Sequence, residues 1–312
     1  MATVRRAEMN QYDIVFVGHV VSGQIEPFEG APSFGQGGAS FFGAMAASCL
    51  TKKLAVVTRI AESDHDFLEP LNAAGIDVYV QPSVETSHMR VIYPSTNVDQ
   101  RQLFLIKSAG LFRIEEMPLL EPCLIHFGGL SDQEFTVEFM QTLKERGFRL
   151  SVDMQSFVWQ VDDKTRAIRF QDVPEKWEIL RMVHFVKLDV AEAKILTGTD
   201  NLQDAASILD DWGSPETIIT RSDGVLARSN GKNYFERFSN RSIQGRTGRG
   251  DTLIGAYLAC RIDHPVEESL RFAAALASIK METAGPFRGT LEDVLERMGL
   301  DKKRQNSLPF LL

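Results

Sequence analysis

The chain has 312 residues, of which 44% are hydrophobic and 24% are charged, as is usual for a folded globular protein with one large domain or two small ones. Its net charge of -8, without any run of Lys or Arg, argues against a nucleic-acid partner, because the long-range field repels a polyanion. The sequence has no apolar run of about 18 residues, no apolar signal segment after its basic N-terminus, and three widely separated cysteines. We therefore expect a cytoplasmic protein with reduced thiols that does not bind membranes.

The first half of the chain alternates short apolar runs with helical segments. Buried strands are predicted at 13–18, 54–58 and 76–80, and helices at 39–50 and 62–74. Between residues 88 and 107, two apolar runs flank a polar turn, which predicts an antiparallel hairpin inserted into this alternation. Because helices separate the other strands, we expect a mostly parallel sheet that is covered by helices on both faces.

The second half continues the alternation and then becomes helical. Strands are predicted at 124–127, 149–153, 184–187 and 217–220, a late hairpin at 225–228 and 232–238, and helices at 132–146, 251–261, 266–283 and 290–298. Sheets of this kind bind ligands beyond the carboxyl ends of their strands, so functional residues are expected in the loops there. Three such segments carry candidate residues: the glycines before Ala39, residues 187–192, and residues 245–251.

The segment 245–251 places three glycines and an acidic residue, Asp251, just before an apolar helix. Glycines allow the N–H groups of a first helical turn to converge on an anion, and the helix dipole adds roughly half a positive charge. A carboxylate at the same place could accept a proton from an attacking hydroxyl. Taken alone, the string fits equally well an ordinary turn in which Asp251 caps the helix.

The same segment, GRTGRGD, resembles the DTxGAGD signature of the ribokinase-like (PfkB) carbohydrate kinases. The resemblance implies that Asp251 is the catalytic base, that Gly248, Arg249 and Gly250 form the anion hole, and that Thr247 lies on the cofactor side. Gly245 stands where the family has Asp, and Arg249 stands where it has a small residue. An arginine suits bidentate phosphate binding, but the sequence leaves open whether it contacts phosphate or faces solvent.

Residues 187–192 follow a predicted strand and resemble the Asn-x-x-Glu motif of the same family, with Asp189 in place of Asn. The resemblance implies that Glu192 organises Mg²⁺ through water beside the phosphates of ATP, with Lys187 and Asp189 on the cofactor side. By themselves, the residues favour an ordinary helix start, in which Asp189 is the N-cap and Glu192 completes a capping box.

Residues 217–224 resemble the strand and turn that line the nucleotide site in this family, with Thr220 and Gly224 at the aligned positions. Taken alone, this segment is a turn between two strands.

The acceptor side carries the largest departures from the family pattern. Gly37 and Gly38 resemble the di-glycine signature that approaches the phosphate acceptor, and His19 could face the same cleft. However, Phe42 and Gly23 stand where the family has an Asn and an Asp that bind substrate hydroxyls. Because each unpaired hydroxyl would cost about 1–3 kcal/mol, the acceptor is not expected to be an ordinary ribose or fructose. On its own, Phe42 is more typical of a core aromatic residue.

The resemblance implies a single domain over 1–312 with a three-layer α/β/α sandwich and a small β-strand lid, formed by about 23–35 and 88–107, that closes over the acceptor. Lids of this kind can pair, so a homodimer through the lid is plausible. The predicted activity is ATP-dependent phosphorylation of a hydroxyl on a sugar, polyol or nucleoside-like acceptor, with Mg²⁺. The alternative is a degraded homologue that binds a nucleotide or polyol without turnover.

Overall fold

The computed structural model describes residues 10–51, 53–96 and 100–300. The strands of these ranges are β1 (Ile14–Val17), β2 (Val21–Glu26), β3 (Ser33–Gly37), β4 (Leu54–Ile60), β5 (Asp77–Pro82), β6 (His88–Ile92), β7 (Gln102–Lys107), β8 (Leu124–Phe127), β9 (Arg149–Asp153), β10 (Trp159–Val161), β11 (Ile168–Phe170), β12 (Phe185–Asp189), β13 (Glu216–Thr220), β14 (Gly224–Ser229) and β15 (Lys232–Arg237). The α-helices are α1 (Ala39–Ala47), α2 (Glu69–Ala73), α3 (Val137–Glu145), α4 (Gln155–Val158), α5 (Lys176–Met182), α6 (Val190–Thr197), α7 (Leu202–Asp211), α8 (Arg249–Arg261), α9 (Val266–Met281) and α10 (Leu291–Arg297). Short 3₁₀ helices lie at Glu62–Leu68 and Ile114–Glu116.

Nine strands form the central sheet, in the order β15-β14-β13-β12-β9-β8-β1-β4-β5. The strands from β5 to β13 are parallel to their neighbours, whereas β14 and β15 add an antiparallel hairpin at one edge. Strand β1 lies between β8 and β4 and is buried on both faces, which explains its uninterrupted apolar sequence. The predicted parallel sheet and the late hairpin are confirmed.

Helices cover both faces of this sheet and give it two cores. Val15 and Val17 of β1 point into one core, which α3, α5, α6 and α7 complete, while Ile14 and Phe16 point into the other, which α1, α8, α9 and α10 complete. Alternate residues of a strand face opposite sides, so each buried strand contributes to both cores. The predicted three-layer α/β/α fold is confirmed.

A second sheet, in the order β3-β2-β6-β7, forms the lid. The predicted hairpin between residues 88 and 107 is present, and its strand β6 pairs in parallel with β2. The first lid segment is longer than the expected 23–35, because the antiparallel pair of β2 and β3 begins at Val21 and ends at Gly37. The lid therefore leads directly into the di-glycine and α1.

Some predicted boundaries are wrong. The helix expected at 132–146 begins only at Val137, since the Thr136 side chain caps it by accepting the Phe139 N–H at 3.1 Å. The helix expected at 251–261 begins two residues earlier, at Arg249. The segment 62–74 is a 3₁₀ helix followed by the short α2. The elements α5, α7, β10 and β11 were not foreseen; each has at most 10 residues.

Within the described ranges, no helix is both long and apolar enough to cross a membrane. Cys260 is buried and Cys123 is partly buried. Burial raises the pKa of both thiols to about 12, so they remain protonated and unreactive near neutral pH.

Candidate active site

Three neighbouring parallel strands end side by side with polar residues. Asp153 is the last residue of β9, Asp189 of β12 and Thr220 of β13. The strand register places Lys187 beside Asp153 and Asp189 beside Thr220. Because the carboxyl ends of parallel strands meet at one edge of the sheet, these side chains form a common site, as the sequence predicted for such loops.

Helices α1 and α8 bring the two glycine-rich segments together over this edge. The helices pack so closely that a Cβ added at Gly255 would overlap the carbonyl group of Gly43. At their N-terminal ends, the Phe42 ring lies between the segments: a Cβ at Gly37 would be 3.1 Å from it, and a Cβ at Gly248 would be 2.6 Å from it. The di-glycine and the anion-hole segment are thus neighbours, with Phe42 as the residue that both contact.

A buried ion pair lies below the start of α8. Lys187 is 3% exposed, and its Nζ is 2.8 Å from Oδ2 of the fully buried Asp153. Burial alone would lower the pKa of Lys187, but Asp153, Glu192, Asp251 and Asp189 together raise it above its usual value. The ammonium therefore stays charged. A Cβ at Gly250 would be 2.9 Å from Nζ, so this charge lies against the anion-hole segment.

Asp153 is a site residue that the sequence reasoning missed. Burial raises its pKa to about 7, against the opposing effect of Lys187. Its Oδ1 accepts the Gln155 N–H at 3.2 Å. The available signal was its position as an acidic residue at the end of an apolar strand.

Asp251 is the third residue of α8 and keeps part of its surface accessible. Burial by the surrounding protein raises the pKa of its carboxyl, whereas Lys187, Lys280 and Arg101 lower it. A carboxylate of increased basicity at an accessible position is chemically suited to accept a proton.

The anion-hole segment is partly helical rather than a loop before the helix. Gly248 is the N-cap of α8 and has a φ of 80°, a left-handed conformation that favours glycine. Arg249 and Gly250 are the first two residues of α8, so their positions belong to the first turn, whose N–H groups lack acceptors within the helix. Such N–H groups and the helix dipole together attract an anion. The Arg249 guanidinium lies 5.4 Å from the centroid of the Phe238 ring, within the range of a cation–π interaction.

The chain matches the model of the pfkB family of carbohydrate kinases over residues 12–292. It belongs to this family. A cytidine kinase from Thermococcus kodakarensis is 28% identical over 289 residues, covering 89% of this chain and 99% of the relative. A 2-dehydro-3-deoxygalactonokinase from Haloferax volcanii is 28% identical over 170 residues, covering 53% of this chain and 52% of the relative.

Solved structures agree with this membership. A sulfate complex of a pyrophosphate-dependent kinase in the ribokinase family has a TM-score of 0.84 and 30% identity, covering 91% of this chain and 99% of that one. A pyrophosphate-dependent kinase of the same family, in complex with a pyrophosphate analogue and myo-inositol, has a TM-score of 0.83 and 29% identity. The match covers 91% of this chain and 99% of that one. Ribokinase from Arabidopsis thaliana, in complex with ribose and ATP, shares the fold, with a TM-score of 0.70 and 19% identity. The match covers 93% of this chain and 99% of that one. The protein is thus a pfkB-family kinase with a ribokinase-like fold.

In this pfkB kinase, Glu192 is buried rather than open to a metal. Its Oε1 accepts the indole N–H of Trp159 at 2.9 Å, and its Oε2 accepts the Asp189 N–H at 2.7 Å. The Asp189 side chain in turn accepts the N–H groups of Ala191 and Glu192, which completes the capping box that the residues alone favoured. Burial raises the pKa of Glu192 well above its usual value. Both carboxylate oxygens thus already have partners inside the protein, so an effect of Glu192 on a metal ion would pass through Asp189 or water, and the role of Glu192 stays a prediction.

The residues expected on the nucleotide side, Thr220, Gly224 and Thr247, also make contacts within the protein. The buried Thr220 hydroxyl donates to the Leu188 carbonyl oxygen at 3.4 Å. A Cβ at Gly224 would overlap the Glu236 carbonyl oxygen on the adjacent strand. Thr247 is exposed, and its carbonyl oxygen accepts a hydrogen bond from Lys280, a site residue that the sequence did not suggest.

His19 does not face the cleft, contrary to expectation. It is 1% exposed, its Nε2 is 2.9 Å from the Gly110 carbonyl oxygen, and its Nδ1 is 2.8 Å from the Ser87 hydroxyl. Burial lowers its pKa to about 3, so the ring is neutral. Gly38, with a φ of 117°, packs against the His19 carbonyl oxygen, where a Cβ would overlap it. His19 therefore supports the base of the lid instead of contacting a substrate.

Proposed function

We propose that the protein transfers a terminal phosphoryl group to a hydroxyl of a sugar, polyol or nucleoside-like acceptor, with Asp251 as the general base. The observation that supports this best is the position of Asp251, an accessible carboxylate in the first turn of α8, among the cations Lys187, Lys280 and Arg101. Asp251 takes the proton of the acceptor hydroxyl, the hydroxyl oxygen bonds to phosphorus, and the bond from phosphorus to the leaving oxygen of the donor breaks.

The surroundings of Asp251 supply the charge that such a transfer needs. The positive end of α8, at Gly248, Arg249 and Gly250, would receive the phosphoryl group, and the Lys187 ammonium lies against Gly250. The Arg249 N–H already donates to the Arg246 carbonyl oxygen at 3.1 Å, so the other amides of this turn would make the contacts. Lys187 is held by Asp153 and does not have to reorganise during the reaction. The raised pKa of Asp251 makes it a stronger base, so we expect activity to increase with pH as this carboxyl loses its proton.

ATP with Mg²⁺ is the donor that we propose from the sequence. Pyrophosphate is the second candidate, because two structural relatives with 29–30% identity are pyrophosphate-dependent. Both donors present a phosphoanhydride to the same amides. Mg²⁺ keeps several waters and needs only one or two carboxylates, of which Asp189 would provide one, with Glu192 acting through Asp189 and water. When bound, the ion would neutralise phosphate charge.

The acceptor side favours a substrate other than ribose or fructose. Gly23 lies in β2 opposite Gly35, and the buried Phe42 fills the space between Gly37 and Gly248, so neither supplies a polar group to a hydroxyl. The relatives act on or bind different acceptors, cytidine and myo-inositol among them. We propose an acceptor of the polyol or nucleoside class, recognised in part by the lid, and a possible homodimer through that lid.

A panel of acceptors crossed with both donors tests the proposal. Wild-type protein should turn over at least one pair, and Asp251→Asn should lower kcat by about 10²–10⁴-fold, because a general base contributes that much. Donor affinity, measured by calorimetry, should be retained. Asp263→Asn, an exposed aspartate just beyond α8, is the matched control with wild-type kcat. Full activity of Asp251→Asn would refute the role of the base; binding of donor and acceptor without turnover across the panel would favour the degraded homologue.

A further inference from the structure

A buried ammonium binds the segment that leads into α8. Lys280, near the end of α9, is 1% exposed, and its Nζ donates to the carbonyl oxygens of Gly245 and Thr247. Thr247 immediately precedes the Gly248 N-cap, and Gly245 lies three residues before it. The ammonium therefore determines which way the carbonyl groups of this segment point, and with them the orientation of the peptide groups that follow.

The surroundings of this ammonium are those of a cation site rather than of an ion pair. Nζ lies 4.9 Å from the centroid of the Phe42 ring, within the range of a cation–π interaction. Among the described residues, no carboxylate lies within ion-pair distance of Nζ; the charge that attracts it from farther away is Asp251 on α8. Burial of an ammonium is costly, so a residue that merely filled this space would be apolar. The charge is retained because the two carbonyl oxygens and the ring compensate for it.

The departure of this chain from the family signature at Gly245 fits the same site. A Cβ at Gly245 would overlap the Thr283 carbonyl oxygen, and the Gly245 N–H donates to the Met281 carbonyl oxygen at 2.8 Å. The backbone of the segment is thus pressed against the end of α9, which brings the Gly245 carbonyl within reach of Lys280. The family's Asp at this position would have no room for its side chain.

We propose that Lys280 is a positioning residue, a tethered cation that fixes the carbonyl groups of Gly245 and Thr247 and so orients the amides from Gly248 to Asp251 toward the phosphoryl group. It occupies a position that an unattached monovalent cation would otherwise have to fill. The inference rests on the proposed function, because the orientation of these amides matters only if a phosphoryl group meets them.

Removal of the ammonium, followed by its replacement with small cations, tests this role. Lys280→Ala leaves a space for a cation, whereas Lys280→Met fills most of that space. At constant ionic strength in choline chloride, both variants should lose about 10²-fold in kcat. Ammonium, methylammonium or potassium chloride should restore Lys280→Ala at least 10-fold with saturation, but should not restore Lys280→Met. Wild-type protein should be insensitive to the choice of cation.

The control variant is Arg271→Met, which removes an exposed cation from the same helix and should keep wild-type kcat in every salt. The proposal is overturned if Lys280→Met keeps kcat within twofold of wild type, if no cation restores Lys280→Ala, or if wild-type protein itself requires an added monovalent cation. If wild-type protein transfers no phosphoryl group, the proposed function fails. Calorimetric titration with inorganic pyrophosphate then provides the test: Lys280→Ala should bind at least 10-fold more weakly, and ammonium should recover the affinity.

The pH profile separates a charge effect from a merely structural one. Burial lowers the pKa of Lys280 to about 8, and Asp251 opposes this shift, while Lys187 acts on the same Asp251 carboxylate. Wild-type activity should therefore fall as pH rises through about 8, because the ammonium loses its charge there. Lys280→Ala restored by potassium, which does not titrate, should lack this alkaline decline. An unchanged decline would contradict the proposal.

Discussion

Two buried polar networks lie at the carboxyl ends of the strands, and they differ in whether their charged groups have a partner of opposite charge. Below α8, the ammonium of Lys187 is paired with Asp153 and attracts Asp251. At the base of the lid, the buried Glu134 accepts the N–H groups of Leu130 at 2.6 Å and of His19 at 3.0 Å. Among the described residues, no Lys or Arg pairs with Glu134, and burial raises its pKa to about 7.

The difference follows from what each network has to do. The network below α8 keeps the positive charge of Lys187, and the Asp153 carboxylate compensates for the cost of burying it. The network of the lid base fixes backbone: Ser87, just before β6, bonds to His19 and accepts the Ala109 N–H, just after β7, at 2.9 Å. Neutral groups can do this without the cost of a buried charge. The start of α8 and the base of the lid thus use different kinds of buried polar groups.

The largest test of this contrast removes the cation. Lys187→Met removes the partner of the buried Asp153 carboxyl and with it the charge that lowers its pKa, so at pH 8 this carboxyl must either stay ionised and unpaired or take up a proton. Either outcome should lower the free energy of unfolding, by about 3–5 kcal/mol. Urea denaturation measures this, and the double variant with Asp153→Asn should recover part of the loss. Lys194→Met, which breaks an exposed pair with Asp200, is the control with nearly unchanged stability. A loss below about 1 kcal/mol would show that the charge is not held by Asp153.

The second test concerns the pH dependence of the lid base. Because the pKa of Glu134 is about 7 in the folded protein and 4.5 in the unfolded chain, the folded state binds its proton more tightly. This contribution to stability is complete below pH 4.5 and is lost as pH rises to 7, by up to about 3 kcal/mol. Glu134→Gln should lack this loss, as urea denaturation at pH 5 and pH 8 would show. Equal pH dependence of the two proteins would mean that Glu134 is ionised with a stabilising partner.

The smallest test compares a glycine from each region. Gly248→Ala places a side chain at a φ of 80° and against the Phe42 ring, so it should lower the free energy of unfolding by about 1–2 kcal/mol and reduce kcat as well. Gly35→Ala in the lid meets no atom within 4 Å and should change stability by less than about 1 kcal/mol. Thermal unfolding and initial rates measure both. If Gly248→Ala changed stability and kcat no more than Gly35→Ala does, the tight packing at the start of α8 would be contradicted.

The elements of the fold were largely predictable because their signals are local. Strands buried on both faces, such as β1 and β8, read as short apolar runs, and the hairpin around residues 93–101 reads as two such runs with a polar turn. The helix predicted at 132–146 began too early because Phe135 and Glu134 are buried for reasons of tertiary contact. Glu134 faces His19, a residue 115 positions away, which no local pattern reveals.

The sequence by itself determined the family, the order of the motifs and the position of Asp251 at a helix start, since glycine content, strand ends and capping residues are properties of neighbouring residues. The tertiary structure alone decided which polar groups are buried, and with which partners. It paired Asp153 with Lys187, enclosed Glu192 beneath Trp159, turned His19 away from the cleft and placed Lys280 on the Gly245 carbonyl. Each of these contacts joins residues more than 30 positions apart in the chain or depends on burial, which shifts pKa values only once the core has formed.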